Sequence, residues 1–273
     1  MKMRIFVPRD AAAIAVGAAD VVTALEQVAA KRELPINIIR NGSRGLCWLE
    51  PMVEVATVKG RVAYGPVTAA DVPSLFEAMA SNGPHPLRLG PADEIPWLKR
   101  QTRLTFARCG IVDPRSVEDY RAHGGYKGLA RALSLTAAGI LADVTSSGLR
   151  GRGGAGFPTG IKWKTVADAT ADRKYVVCNA DEGDSGTFAD RMIMEGDPFV
   201  LIEGMTIAAI AVGATEGYIY VRSEYPHAVA ALERAVAMAR RRGLLGERLA
   251  GSPHNFELEV RVGAGAYVCG EET

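Results

Sequence analysis

Gly148-Leu149-Arg150-Gly151-Arg152-Gly153-Gly154-Ala155-Gly156-Phe157-Pro158-Thr159-Gly160-Ile161-Lys162-Trp163 is the stretch on which the nature of this chain turns. Six glycines fall within it. Glycine adopts positive φ at no steric cost, so successive N–H groups can turn toward one anion. Arg150, Arg152 and Lys162 add positive charge suited to phosphate. Phe157 and Trp163 offer flat apolar faces to a ring. Gly-Lys-Ser/Thr is missing, so this is not a Walker loop. Gly151-x-Gly153-x-x-Gly156 is present, but a match that short says little alone. A plain flexible spacer is the rival reading. Arginines and aromatics threaded through glycines speak against it.

Downstream, Lys174 to Cys178 is a short apolar run that predicts a buried strand. It leads into Asn179-Ala180-Asp181-Glu182-Gly183-Asp184-Ser185-Gly186-Thr187-Phe188-Ala189-Asp190-Arg191. Ligands of open α/β sheets lie beyond the carboxyl ends of strands. Carboxylates there can accept hydrogen bonds from ribose or ribityl hydroxyls. Asp181, Asp184 and Asp190 are also hard oxygen ligands, so a cation is the alternative, although the spacing is not that of an EF-hand. A third segment, Val262-Gly263-Ala264-Gly265-Ala266-Tyr267-Val268-Cys269-Gly270-Glu271-Glu272-Thr273, runs from a strand into glycines and two acids. It reaches the last residue with no closing element, which predicts a fragment.

Around these segments, helical spacing predicts helices over 137–145, 199–212 and 227–241, and strands over 217–222 and 256–262. Shorter helices are expected over 117–123 and 126–133. Alternation of this kind indicates an α/β layer with parallel pairing. The apolar run Phe199 to Thr215 carries Glu203 and two glycines. It falls short of the roughly 18–20 clean apolar residues of a membrane span and reads as a buried helix. Upstream, the expected order is a strand over 3–7, a helix over 19–31, a strand over 36–39, a hairpin from 53–58 and 61–64, and a helix over 70–79 opened by Thr68. That order suits a small thioredoxin-like domain over 1–82. Asn82-Gly83-Pro84, Gly90-Pro91 and Pro96 mark 83–110 as a linker, leaving 111–273 as the second domain.

Composition narrows the function classes. With 48% hydrophobic and 23% charged residues the chain reads as a soluble globular protein. A formal net charge of +1 gives no basis for bulk attraction to nucleic acid or a membrane surface. The four cysteines, Cys47, Cys109, Cys178 and Cys269, are far apart, which argues against a disulfide framework or a cluster within this chain. No signal peptide is visible, and reduced thiols fit a cytoplasmic protein.

The three site segments together resemble the flavin-binding NADH dehydrogenase subunit of respiratory complex I and its relatives in NAD-reducing hydrogenases and NAD-dependent formate dehydrogenases. The residues that carry the resemblance are Ser147 to Gly160, Asn179 to Glu182, and Gly265 to Thr273. Asn41-Gly42-Ser43-Arg44-Gly45-Leu46-Cys47-Trp48-Leu49-Glu50-Pro51 resembles the thioredoxin-like two-iron ferredoxin module that partners such subunits. In that module a Cys-x-x-x-Cys pair supplies two ligands; here Ser43 stands at the first position and only Cys47 remains. The resemblance therefore implies a domain without cluster ligands, used for docking. The form of Asn41 to Glu54 is most similar to the beta subunits of soluble molybdenum NAD-dependent formate dehydrogenases.

The implied fold is α/β: a thioredoxin-like domain followed by the first part of a Rossmann-like FMN/NADH-binding domain. The implied cofactors are FMN and NAD(H), with a 4Fe–4S cluster only in a further C-terminal part. By motif position Gly151, Arg152, Gly153, Gly154, Lys162, Asn179, Asp181 and Glu182 would line FMN. Tyr267, Gly270, Glu271 and Glu272 would close it. Phe157 would stack near NADH, and Asp184 would reach a nicotinamide ribose hydroxyl, where complex I relatives carry Glu. Thr165 replaces an aromatic of some relatives. Hydride passes between cofactors, so no catalytic side chain is implied, and His85, His123, His227 and His254 read as structural or surface residues. Implied partners are other subunits of a multi-subunit dehydrogenase, including a two-iron ferredoxin-like subunit and a large catalytic subunit. A binding or assembly module without turnover is the alternative.

Overall fold

The computed structural model describes residues 2–184 and 186–266. The chain divides into two compact units. One runs through Ser116 and takes in Glu195–Asp197; the other holds Val117–Met194 and resumes at Pro198.

The first unit opens with β1 (Met3–Phe6), α1 (Ala11–Ala15), α2 (Ala18–Lys31) and β2 (Ile36–Ile39). Val21, Leu25 and Ala29 recur at helical spacing and are the buried stripe of α2. The hairpin β3 (Val53–Thr57) and β4 (Gly60–Tyr64) follows. Then comes α3 (Val72–Ser81), preceded by a 3-10 turn in which the Thr68 N–H donates to the Asp71 carboxylate at 2.8 Å. β1 pairs parallel with β2 and antiparallel with β3, and β3 pairs antiparallel with β4. The order β2-β1-β3-β4 with β3 reversed is the thioredoxin-like arrangement expected. Ile5, Val7, Leu25, Val53, Tyr64, Leu75 and Phe76 fill its core.

The stretch 83–110, expected as a linker, is instead structured. β5 (Arg88–Pro91) adds a fifth strand beside β4, with Val62 opposite Pro91 and a register shift at Ala63/Tyr64. An edge strand tolerates the proline because its outer N–H needs no partner. Beyond it, Ala92, Ile95 and Leu98, the last in α4 (Pro96–Lys99), pack with Leu46, Met52 and Ala63. The breakers therefore mark the bends around a short strand, and the first unit extends past residue 110.

The second unit begins with α5 (Val117–Ala122), α6 (Lys127–Leu133), α7 (Ala137–Ser146) and α8 (Thr159–Asp168). β6 (Tyr175–Ala180), α9 (Ala189–Gly196), α10 (Pro198–Val212), β7 (Glu216–Val221), α11 (Pro226–Arg241) and β8 (Glu257–Val262) follow. The strands form a parallel sheet in the order β6-β7-β8. α10 packs on β6 and β7, and α11 on β8, so the crossovers cover one face. Phe199, Ile202, Ile219, Val221, Leu232, Phe256 and Leu258 form the core there. α10 is buried as expected, and its Glu203 accepts from the Tyr120 hydroxyl (2.6 Å) and the Tyr126 and Leu129 N–H groups (2.7 and 2.9 Å). Among the described residues no helix is long and apolar enough to cross a membrane.

Candidate functional site

The glycine-rich segment is the connection between α7 and α8. Gly151 N–H donates to the Phe157 carbonyl and Thr159 N–H to the Leu149 carbonyl, both at 2.9 Å. Arg150 pairs with Pro158 as an isolated antiparallel bridge and donates to the Gly156 carbonyl at 2.9 Å. Arg150 thus closes the loop. Gly154 and Gly156 have φ of +109° and +62°, values that an L side chain rarely adopts, and these turns keep the loop tight. The second half of the segment forms the first turn of α8, a helix that the glycine content concealed.

Residues 179–184 span the carboxyl end of β6 and the start of the loop that follows it. Glycine loop and acidic segment converge on one cavity of about 670 Å³, within the roughly 300–1,000 Å³ of small-molecule sites. Gly151, Arg152, Gly153 and Lys162 line one side. Asn179, Asp181, Glu182 and Asp184 line another, joined by Thr187 and Asp190. A Cβ on Gly153 would meet nothing within 4 Å, so the space beside this backbone is open to a ligand. Gly154 and Phe157 are not in the lining; Phe157 is half exposed on the loop. Tyr267, Gly270, Glu271 and Glu272 lie outside the described residues.

The three strand ends meet at a second, smaller pocket of about 80 Å³, lined by Asp181 and Gly183 after β6, Arg222 and Glu224 after β7, and Gly265 and Ala266 after β8. Arg222 carried no signal in the sequence beyond ending a predicted strand, and Glu224 carried none. Glu182, a lining residue of the cavity, also serves the helix that follows. Its carboxylate accepts from the Asp190 and Arg191 N–H groups at 2.8 and 3.0 Å, satisfying the start of α9. Burial, and next the Glu182 carboxylate, raise the Asp190 carboxyl above its ordinary value. Burial, with Asp190 second, pushes the Cys178 thiol up to about 11. Asp181, Asp184 and Asp190 are not gathered into a cation site: among the described residues no group of three or more His, Cys, Asp or Glu side chains is placed to hold a metal.

In the first unit, Ser43 is buried and its hydroxyl donates to Glu50 at 2.6 Å, while accepting from Gly45 N–H at 2.8 Å. Cys47 is exposed at the start of a 3-10 turn.

Fold and cleft define the second unit as an α/β ligand-binding domain whose site lies at the carboxyl ends of parallel strands. Residues 144–273 match the family described as the Nuo51 FMN-binding domain. Over 175 residues the chain is 53% identical to the NADP-reducing hydrogenase subunit HndC of Solidesulfovibrio fructosivorans, covering 64% of this chain and 36% of that one. It is 50% identical to the mitochondrial NADH dehydrogenase (ubiquinone) flavoprotein 1 of Dictyostelium discoideum over 136 residues, covering 49% and 28%. A crystal structure of an NAD+-reducing [NiFe]-hydrogenase aligns over 99% of this chain and 44% of that chain, at 27% identity and a TM-score of 0.49. Residues 144–273 are thus similar to the FMN-binding domain of 51 kDa-type flavin subunits. The chain spans 28–36% of the length of these two curated relatives.

Proposed function

We propose that this chain supplies the FMN and NAD(H) cleft of a diaphorase-type NADH dehydrogenase subunit. The observation that carries this reading is the convergence of the glycine loop and the acidic segment on one cavity at the carboxyl end of β6. The donor set fits the cofactor: two cations and open glycine backbone for phosphate, and an amide and carboxylates for hydroxyls and ring N–H groups. When bound, FMN links hydride exchange with nicotinamide to single-electron delivery to iron–sulfur centres. Arg152 and Lys162 hold anionic oxygen. Gly151 and Gly153 admit the ligand close to the main chain, and Gly154 sets the turn that keeps them there. Asn179 and Asp181 bond the polyol and ring edge, and Asp184 reaches a nicotinamide ribose. Phe157 stacks on NADH at the rim. Tyr267, Gly270, Glu271 and Glu272 complete the site by the family resemblance.

The wider assignment is a formate dehydrogenase beta subunit in the cytoplasm, working with a two-iron ferredoxin-like subunit, a large catalytic subunit and a 4Fe–4S centre. It rests on the resemblance of Asn41 to Glu54. A place in complex I or in an NAD-reducing hydrogenase fits the names of the curated relatives equally well. Neighbouring genes separate these: a molybdenum enzyme, a run of membrane subunits or a nickel hydrogenase.

FMN titration followed by flavin fluorescence tests the cleft, and NADH-dependent ferricyanide reduction tests turnover. Stoichiometric binding at micromolar or tighter affinity, with reduction, is expected. Binding without reduction identifies a binding or assembly module. Neither binding nor reduction sinks the proposal.

A further inference from the structure

Two non-glycine residues stand in left-handed backbone: Glu182 of the cleft lining at φ +43°, and Phe188, next in the chain to the lining residue Thr187, at φ +51°. Side chains rarely adopt this region, and where they do the surroundings must hold them. The two residues bracket the loop between β6 and α9, which brings Gly183, Asp184 and Thr187 to the cleft.

Each end of the loop is held by an arginine. Arg222 Nη1 donates to the main-chain carbonyl of Glu182 at 2.9 Å. The Glu182 carboxylate turns to the first N–H groups of α9. At the other end the Arg191 guanidinium lies 3.9 Å from the Phe188 ring centroid and 5.2 Å from that of Tyr225. The Arg222 guanidinium lies 5.1 Å from the same Tyr225 ring. Phe188, Arg191, Tyr225 and Arg222 therefore form one stack that joins the two left-handed positions. Glu224 fixes Arg222 from the far side, with Nη2 to Oε1 at 3.2 Å and Nε to Oε2 at 3.3 Å.

We propose that Arg222 is a positioning residue for the cofactor cleft: through the Glu182 carbonyl and the Tyr225 stack it fixes Glu182 and Phe188–Arg191, and with them the neighbouring groups presented to flavin and nicotinamide. This rests on the functional reading above. Among the described residues Arg222 is absent from the lining of the large cavity and lines the small pocket between the strand ends. Its effect on the large cleft therefore passes through the loop.

Amide hydrogen exchange on the whole chain without cofactor, paired with FMN titration, tests this. In Arg222→Ala the Asp190 and Arg191 amides exchange about tenfold faster, and FMN affinity falls roughly tenfold, the scale of one lost charge-assisted hydrogen bond. The interior amides of β7 and α10 keep their protection, which shows that the variant folds. Arg222→Gln, which keeps an N–H donor without the charge, recovers most of both losses. Wild-type exchange and wild-type FMN affinity in Arg222→Ala would overturn the proposal. So would unchanged exchange with an affinity loss that is equal in both variants and vanishes in high salt, because Arg222 would then touch the ligand directly. A wild-type chain that binds no FMN overturns the functional reading instead; the exchange comparison needs no cofactor and still decides whether Arg222 holds the loop.

Discussion

Ser43 Oγ lies 2.6 Å from Glu50 Oε1 in the interior of the first unit, where both residues are at most 5% exposed. The other oxygen of Glu50 accepts from Met52 N–H at 2.9 Å. Burial first, and the nearby Asp10 charge second, push the Glu50 carboxyl up to about 7 from an ordinary 4.5, against the pull of these two bonds. The folded state thus holds the proton more tightly than the unfolded chain does. The stability this contributes is complete below the ordinary value and is lost as pH rises through about 7. The size is on the order of 3 kcal/mol. Thermal unfolding at pH 5 to 8 should show the midpoint of the first unit falling with pH. Glu50→Gln should flatten that fall. A wild-type midpoint that rises across this range would refute the assignment.

Arg44 and Glu54 form a buried two-bond pair in the same unit. Nε to Oε1 is 2.5 Å and Nη2 to Oε2 is 2.9 Å, with side chains 5% and 1% exposed. Arg44→Met leaves Glu54 with the more distant Arg61, at 3.4 Å, as a cationic neighbour. Leaving such a carboxylate should cost about 3–5 kcal/mol in urea unfolding. Adding Glu54→Leu removes the stranded charge and should return much of the loss. A double variant no better than the single one would contradict this account.

Gly160 seats α8 against α7. A Cβ there would stand 2.3 Å from Thr145 Oγ1 and 2.7 Å from its Cα, so the helices would have to part. Gly160→Ala should destabilise the second unit by roughly 1–3 kcal/mol, the usual range for overpacking. FMN affinity should fall as well, because the glycine loop springs from this contact. Normal stability together with normal affinity would show that the helix pair yields freely.

Thiol labelling should sort the described cysteines by environment. Burial pushes Cys109 up to about 12 and Cys178 up to about 11, so neither carries much thiolate at neutral pH. Cys47 is exposed. Iodoacetamide at pH 7.5, followed by peptide mass analysis, should modify Cys47 at least about tenfold faster than Cys178. Rapid labelling of Cys178 in the native chain would show that the cleft is open to that depth.

Long periodic segments were legible in the sequence. The helical spacing of Val22, Leu25, Val28 and Ala29 announces α2, although its buried stripe centres on Val21, Leu25 and Ala29. The largely apolar run Phe199 to Val212, broken by Glu203 and Thr206, leaves few options other than burial. Gly151, Arg152, Gly153, Lys162, Asn179, Asp181, Glu182 and Asp184 do gather around one cavity. What stayed hidden depends on tertiary context. β5 is four residues with a glycine and a proline, and only its pairing with β4 makes it a strand. The first turn of α8 sits inside a glycine run. Arg222 lies forty positions from the carbonyl it holds, and no local pattern announces such a bond. Motif position places Glu182 at the ligand, and nothing local shows that both its oxygens also accept from the first N–H groups of α9.

The glycine loop has a last consequence. Its neck is laced by the Gly151 to Phe157 and Thr159 to Leu149 bonds, and Arg150 ties down Gly156. A free run of glycines would surrender more chain entropy on capturing a ligand than any other sequence. Here that surrender belongs to folding, so a ligand arriving at the cleft meets a rigid receptor and forfeits little of its contact energy to ordering it.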